Sequence, residues 1–428
     1  MAGERRYIPA SEFCASVCDG THESPKPVER GRRLVTSRHL TTGRLDLSDA
    51  YLISEEDFAA INKRSKVDRW DVLISMIGTV GEPCLIKEEP DFAIKNIGLF
   101  KTKSETDGKW LYYFLRSKDA QQSIREQSRG TTQQYIPLGA LRDFPILVAD
   151  DPEEQKAIAA VLGALDDKIE LNRRMNATLE AMARALFQSW FVDFDPVRAK
   201  LDGRVPANLD PATAALFPAS FQDSSIGHIP SGWTAVPLYD TAQWVNGAAF
   251  KSEDFCTAGG GLPVIKIAEL KDGIGAQTKW CKRQAGPNQI IDTGDLVYSW
   301  SGSPDTSLEA FLWSGGCGLL NQHIFKVISQ SAAQKRYVYY LLQYLRPVLV
   351  ETARNKQTTG LGHVTIADMK RLLVCLPSKE VLTAFDRSVA AIFDLAFTNT
   401  LESRTLATLR DTLLPKLLSG ELATPRTQ

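Results

Sequence analysis

The chain has 428 residues, 43% of them hydrophobic and 24% charged, with a formal net charge of -1. So ordinary a composition excludes a disordered or fibrous protein, and the length allows two to four folding units, each able to bury a core. Near-neutral charge argues against a dedicated nucleic-acid module unless the basic residues are clustered.

The opening stretch "MAGERRYIPASEF" has no apolar region of the signal-peptide kind, and no run of about 18 apolar residues occurs, so no membrane partner and a cytoplasmic location are expected. Seven scattered cysteines lack CxxC spacing; they read as reduced thiols, with no metal site expected. Residues 28–40, "VERGRRLVTSRHL", put Arg30, Arg32, Arg33 and Arg38 around a predicted strand, as a phosphate-contacting face or a solvated basic surface. Short apolar alternations ("DVLISMIG", "DLVYSW") mixed with helical stretches ("KWLYYFLRSKDAQQSI", "QKRYVYYLLQYLRPVLVETA") predict α+β domains with an irregular sheet.

Two polar loops occupy corresponding places, "SRGTTQQYI" (128–136) and "ARNKQTTGLGHVTI" (353–366), each after the long helix of its half and before its last strand. The first offers Arg129, Gly130, Thr131, Thr132, Gln133 and Gln134; the second offers Arg354, Lys356, Gln357, Thr358, Thr359, Gly360 and His363. Glutamine can pair with adenine, threonine can bond phosphate or touch a thymine methyl, and glycine lets backbone amides approach phosphate. An ordinary surface turn is the alternative for either loop alone; two at equivalent sites favour binding.

A long helix follows the first loop. Asp151 is its predicted N-cap, with Pro152 at the first position and Glu154 completing a capping box. Its apolar stripe runs through Ile158, Val161, Leu165, Ile169, Met175, Leu179, Met182, Leu186 and Trp190. Unbroken to Trp190, it would span roughly 58 Å at about 1.5 Å per residue. Residues 195–233, rich in proline, glycine, alanine and serine, then read as a linker.

From there the chain repeats itself at a shift near 227. "RWDVLISMIG" (69–78) matches "TGDLVYSWSG" (293–302), and "LVTSRHL" (34–40) matches "VIKIAEL" (264–270), which carries Lys266. "WLYYFLRS" (110–117) matches "YVYYLLQY" (337–344). "KNIGLFKTK" (95–103) matches "LNQHIFKVI" (320–328), placing Lys101 and Lys326 on the same strand of each half, in a structural role. A second long helix begins at Ser378 and carries Leu382, Phe385, Val389, Ile392, Ala396, Leu406, Leu409 and Leu413, with Pro415 distorting its last turns and Gly420 as its stop. Asn172 falls on Asn399, Leu179 on Leu406 and Leu186 on Leu413, so the two helices are expected to pack on each other, the asparagines setting register.

Chemistry is scarce. There is no GxGxxG after a strand, no Walker motif, no HExxH and no GxSxG, and the five histidines are not spaced as ligands, so no catalytic residue is assigned.

Together these features resemble the DNA-specificity subunits of type I restriction-modification systems. "DGTHESPKP" (19–27) is similar to the start of a target-recognition domain of that family, and residues 151–200 to its central conserved region. "ALFPASFQDSSIGHIPSGW" (215–233) resembles the entry to a second recognition domain, and "LRDTLLPKLLSGEL" (409–422) the carboxy-terminal conserved region. The likeness covers essentially the whole chain and is most specific in the central region. It implies an α+β protein with two tandem recognition domains, 1–150 and 231–377, each followed by a conserved helical region, 151–194 and 378–428, with 195–230 as linker. The two helices would pair as an antiparallel coiled coil and hold the domains apart.

The resemblance further implies a non-catalytic subunit that recognises a bipartite, asymmetric site in double-stranded DNA. Two methyltransferase subunits would dock on the conserved helices, whose spacer and partner positions are Leu165, Asn172, Leu179, Leu186, Trp190, Val389, Asn399, Leu406 and Leu413, with Phe187, Trp190 and Phe191 expected at a domain or methyltransferase contact and restriction subunits as further partners. S-adenosylmethionine, Mg2+ and ATP are expected in those partners and no cofactor in this chain. Thr21 and His22, with Arg32, Arg33, Arg38 and Lys266, join the two loops as DNA-contacting candidates. In the second half "VNGAAFKSEDF" (245–255) lacks the threonine and histidine, so that domain must use other side chains there, Asn246 or Lys251. The alternative is a scaffold that organises other proteins through its coiled coil and binds no DNA.

Overall fold

The alternation in "DVLISMIG" becomes the fully buried strand Val72–Ser75, and its repeat becomes Leu296–Ser299. A computed structural model describes residues 5–41, 43–130, 133–283, 286–357 and 360–423. The chain divides into two compact units, Met1–Glu170 with Ser403–Gln428, and Leu171–Glu402.

In the first unit Ser16–Asp19, Ile97–Lys101, Val72–Ser75 and Pro83–Leu85 form an antiparallel sheet in that order. Arg32–Thr36 runs parallel to Phe92–Lys95, and Arg5–Pro9 pairs with Pro145–Ala149. The second unit repeats each device. Gln243–Asn246, Ile324–Ile328, Leu296–Ser299 and Glu309–Leu312 make the four-stranded sheet. Leu262–Ile265 runs parallel to Gly318–Leu320, and Thr234–Pro237 pairs with Leu373–Leu376. Buried aromatics tie the helix of each unit to its last strand: Trp110 Nε1 donates to the Leu147 carbonyl at 2.6 Å, and the matching Tyr337 hydroxyl to that of Cys375 at 2.6 Å.

Two expectations shift in detail. "KWLYYFLRSKDAQQSI" is not one helix but Glu105–Leu115 and Lys118–Gln127, because Ser117 caps a fresh start by accepting from the Ala120 N–H, whereas Ala332–Arg354 continues unbroken. The "FK" match is offset in register. Phe100 pairs with Val72, but Val327, not Phe325, pairs with the equivalent Leu296. Both lysines nonetheless end on the equivalent aspartate, Lys101 on Asp71 at 2.8 Å and Lys326 on Asp295 at 2.9 Å, so their structural role holds.

The long helices are Pro152–Phe191 and Lys379–Ser419, and each is divided between the units, the first after Glu170 and the second after Glu402. Inside each unit the two segments run antiparallel. In the first, Arg410 meets Asp166 at 2.5 Å, while Arg5 bridges Glu154 at 2.8 Å and the Leu418 carbonyl at 3.0 Å. In the second, Asn172 Nδ2 donates to Glu402 at 2.7 Å and to the Asn399 carbonyl at 3.4 Å. Asn399 donates to Asn176 Oδ1 at 3.0 Å, and Asn176 to the Ala396 carbonyl at 2.9 Å and Thr400 at 3.1 Å. The expected Asn172–Asn399 pair is thus part of a larger polar cluster. Asp151 caps the first helix by accepting from Glu153 at 3.0 Å, while the Glu154 carboxylate goes to Arg5. Gly420, at φ +78, stops the second helix, which runs on through Pro415.

The buried stripe differs from the expected one at three positions. Val161, Met182 and Leu409 are 39%, 53% and 45% exposed, and Leu162 and Ala183 are buried beside the first two. Leu165, Leu179, Leu186, Leu406 and Leu413 are half-buried, and Val389 is buried. Of the two contacts expected for Phe187, Trp190 and Phe191, the structure shows the one with the domain: all three lie in the second unit's core. At the matching end of the second helix, Leu414, Leu417 and Leu418 are buried in the first unit's core.

The segment expected to be a linker is folded. It contains the helices Asp195–Leu201 and Pro211–Ala215 and a hairpin pairing Phe221–Ser224 with Gly227–Pro230. Val197, Phe217 and Ile229 bury it in the core, and Lys200 donates to the Ala214 carbonyl at 3.2 Å. Turn-forming composition ends the long helix here without excluding packing.

Glu180 carries a pH-dependent expectation. The Tyr339 hydroxyl donates to its Oε1 at 3.0 Å, while buried Oε2 has no partner among the described residues. Burial raises its pKa above the usual glutamate value, against smaller lowering by Tyr339 and Arg184. A carboxyl that holds its proton more tightly when folded contributes fully below its unfolded pKa, and that contribution is lost as pH rises through the folded one. Glu180→Gln, which keeps an acceptor for Tyr339, should therefore unfold at higher denaturant than wild type at neutral pH. The gap should close on acidification below the ordinary glutamate range; a gap independent of pH would show that Glu180 titrates like an exposed carboxyl.

Candidate nucleic-acid interface

Strand register decides which polar residues meet. In the first unit Gly98 pairs with both Asp19 and Ile74, and Ile97 with Ser75. The loops after Asp19 and Ser75 and the corner at Asn96 therefore share one end of the sheet. Thr21 bridges to Lys95, and Asn96 turns the corner with φ +53. The polar loop 128–136 joins them: Tyr135 bridges to Ile77 and to Arg129, and the Gly78 N–H donates to the Gln134 carbonyl at 3.1 Å. Thr21, His22, Arg129, Gly130, Gln133 and Gln134 are thereby brought to a single edge, where both glutamines are exposed. Gly130 has φ +93, and a Cβ there would lie 2.3 Å from the Gln133 carbonyl oxygen, so the loop needs glycine. Thr131 and Thr132 lie outside the described residues.

The basic strand divides. Arg32 and Arg33 start Arg32–Thr36, at the opposite end from Thr36, which pairs with Lys95. Arg32 is engaged with Glu55 at 2.9 Å. Arg38 lies in the turn beside Asn96, where it meets the Asp49 carboxylate at 3.5 Å. That turn is held by buried His39, whose Nδ1 accepts from the Thr36 N–H at 2.8 Å; burial lowers its pKa and so favours the neutral ring this requires. Among the described residues, Arg33, Arg129 and Lys266 have no ion-pair partner.

The second unit assembles the same edge with different side chains. Asn246 pairs with Phe325 and Ser299 with Ile324, so Asn246, Trp300 and the turn Asn321–Gln322–His323 come together. Lys266 follows Leu262–Ile265, where Asn321 N–H donates to the Ile265 carbonyl at 3.0 Å. Gly362–His363 pairs with Ser301–Gly302, so His363 holds the place of Tyr135. Gln357 and Gly360 are exposed in the loop before it, and Thr358 and Thr359 lie outside the described residues. Arg354 pairs with Asp305, and Lys356 grips Asp368 through both oxygens, at 2.6 and 2.5 Å. Although partial burial works against ionisation, hydrogen bonds from Lys356 and Thr365 bring the Asp368 carboxyl down to about 2. These two DNA-contacting candidates are thus engaged with carboxylates of the chain itself. Lys251 pairs loosely with Glu253, at 3.8 Å.

Sequence reasoning missed Asn96, Tyr135, Trp300, Gln322 and His323 as members of these edges. Their signal was the repeat, which puts Asn96, Trp300, Gln322 and His323 beside matched strands, while Tyr135 stands near the end of the first polar loop.

All seven cysteines are free thiols, and burial pushes Cys14, Cys84 and Cys375 up to about 12. Among the described residues, no helix is long and apolar enough to cross a membrane.

Comparison with known proteins assigns the chain to a family. A family model described as the type I restriction modification DNA specificity domain matches residues 32–181 and 230–410, well over half of the chain. The HindI specificity subunit of Haemophilus influenzae is 26% identical over 356 residues, covering 73% of this chain and 77% of that one. The MjaIX specificity subunit of Methanocaldococcus jannaschii is 24% identical over 317 residues, covering 73% and 68%. In fold, the crystal structure of the S subunit of a type I restriction-modification system from M. genitalium aligns with a TM-score of 0.56 at 15% identity, over 100% of this chain and 97% of that one. The chain belongs to the family of DNA-specificity subunits of type I restriction-modification systems.

Proposed function

We propose that each unit reads one half of a bipartite DNA site through the sheet edge described above. One observation carries this reading: the same backbone edge occurs twice with different side chains. Thr21 gives way to Ala248 at the matching bridge, Met76 to Trp300 and Tyr135 to His363. A duplicated scaffold with divergent readers suits an asymmetric site whose halves differ in sequence. The family is one of non-catalytic specificity subunits, which sets the pure scaffold reading aside.

On this proposal the long helices set the spacing between half-sites and take two methyltransferase subunits, which methylate adenine N6, and restriction subunits join that complex. S-adenosylmethionine, Mg2+ and ATP belong to those partners, and the complex works in the cytoplasm. The near-neutral net charge of -1 supports a division of labour in which the partners supply much of the phosphate contact.

Sequencing of DNA methylated by the chain together with its methyltransferase tests the reading and should return a defined two-part sequence. Exposed Gln133 and Gln357 separate the halves. Gln133→Ala should lower affinity for sites intact in one half by about 1–3 kcal/mol, and Gln357→Ala should do so for the other. Methylation without sequence preference would reject the proposal; equal weakening on every DNA would make the glutamines phosphate contacts.

A further inference from the structure

We infer that Asn246 reads the major-groove edge of a purine, adenine by the better fit, in the half-site bound by the second unit, and that Trp300 is the positioning residue that aims it. The inference rests on the DNA-reading role proposed above. Asn246 is the exposed last residue of Gln243–Asn246. Its Oδ1 accepts from the indole N–H of Trp300 at 3.1 Å. An indole nitrogen can only donate, so the amide cannot be turned the other way round. Trp300 is itself fixed, stacked on Phe325 with ring centroids 5.6 Å apart at 29° and 5.8 Å from the ring of His323. The backbone is pinned as well: Gly247 follows, where a Cβ would lie 2.2 Å from the Asn321 carbonyl oxygen.

What remains is a planar group held in a known orientation. Among the described residues nothing accepts from Asn246 Nδ2, so on this exposed residue both N–H groups are left to bond a ligand, and the second lone pair of Oδ1 stays available. A donor and an acceptor side by side are what an asparagine presents to adenine N7 and the adenine amino group. The first unit offers no counterpart. There the equivalent Asp19 is buried and taken by Arg64 at 3.1 Å and His22 at 3.0 Å, and Met76, in the place of Trp300, is buried.

The test uses the chain assembled with its methyltransferase, read by sequencing of methylated DNA and by competition between site variants. Asn246→Ala should relax preference at one base pair of one half-site by roughly 5- to 150-fold, the span of a single bidentate contact, and leave the other half unchanged. Trp300→Phe keeps the ring contacts and removes only the N–H; it should relax the same base pair, by less. In wild type, 7-deazaadenine at that position, which lacks the N7 acceptor and keeps the amino group, should reproduce part of the Asn246→Ala loss, and it should add nothing to the variant. Unchanged preference at every position in Asn246→Ala overturns the inference while the DNA-reading role stands, and so does uniform weakening on all sequences. A wild-type complex that marks no defined sequence removes the DNA-reading role and this inference with it.

Discussion

Trp190→Ala should destabilise the second unit by about 3–5 kcal/mol, the range for deleting a large aromatic from a packed core. Trp190 is 1% exposed and meets Phe217 edge-on, centroids 5.0 Å apart at 89°, and Phe385 at 5.9 Å. Alanine removes the ring that holds the segment 195–230 through Phe217, while the stiff helix backbone cannot close the gap. Denaturant unfolding should show the loss directly. Limited proteolysis should show where it acts, with faster cleavage between residues 195 and 230 than in wild type. Met182→Ala on the same helix, at 53% exposure, is the control and should stay within about 0.5 kcal/mol. If the two variants lose equal stability, Trp190 is not the anchor that its burial implies.

That contrast marks what a sequence can reveal of such a chain. The repeated topology was legible because alternating strands and capped helices carry their own periodicity, twice over. Which side of a helix is buried was less so. At Val161 and Leu162 both residues are apolar, and the neighbouring segment decides between them; at Met182 and Ala183 the small residue is the buried one. Asn172 and Asn399 stood out as polar breaks in an apolar stripe. Asn176 and Glu402, which complete their cluster, looked like ordinary polar residues on a helix. The folded segment 195–230 was hidden by its own turn-rich composition, since three apolar anchors suffice to dock a short stretch and leave no period. At the two sheet edges the polar loops were visible, but in the second unit Asn246 and Trp300 are far apart in sequence and become neighbours only through strand register.

Asp166→Ala should cost about 3 kcal/mol in the first unit. Asp166 Oδ1 accepts from Arg410 Nη1 at 2.5 Å and Oδ2 from the Tyr113 hydroxyl at 2.8 Å, so one carboxylate joins both long-helix segments of that unit to the helix Glu105–Leu115. Side-chain exposures of 12% for Arg410 and 13% for Asp166 leave little water to replace a lost partner. Burial alone would disfavour the Arg410 charge, but Asp411 and Asp166 hold its pKa above the ordinary arginine value. Removing one member of a buried pair costs about 3–5 kcal/mol, because the other charge stays behind. The lower end applies here, since Asp411 also bonds the guanidinium, at 2.7 Å. Replacing both members with apolar residues of similar volume, Asp166→Leu with Arg410→Met, should recover part of the loss, because neither charge of the pair stays behind, while the Tyr113 hydroxyl and Arg116 still lose their acceptor. A double-mutant cycle measured by denaturant unfolding checks this, and strictly additive losses would show that the pair is not coupled. Added salt should change the single-variant penalty little, since partly buried pairs are poorly screened; a penalty that vanishes in salt would place the pair at the surface.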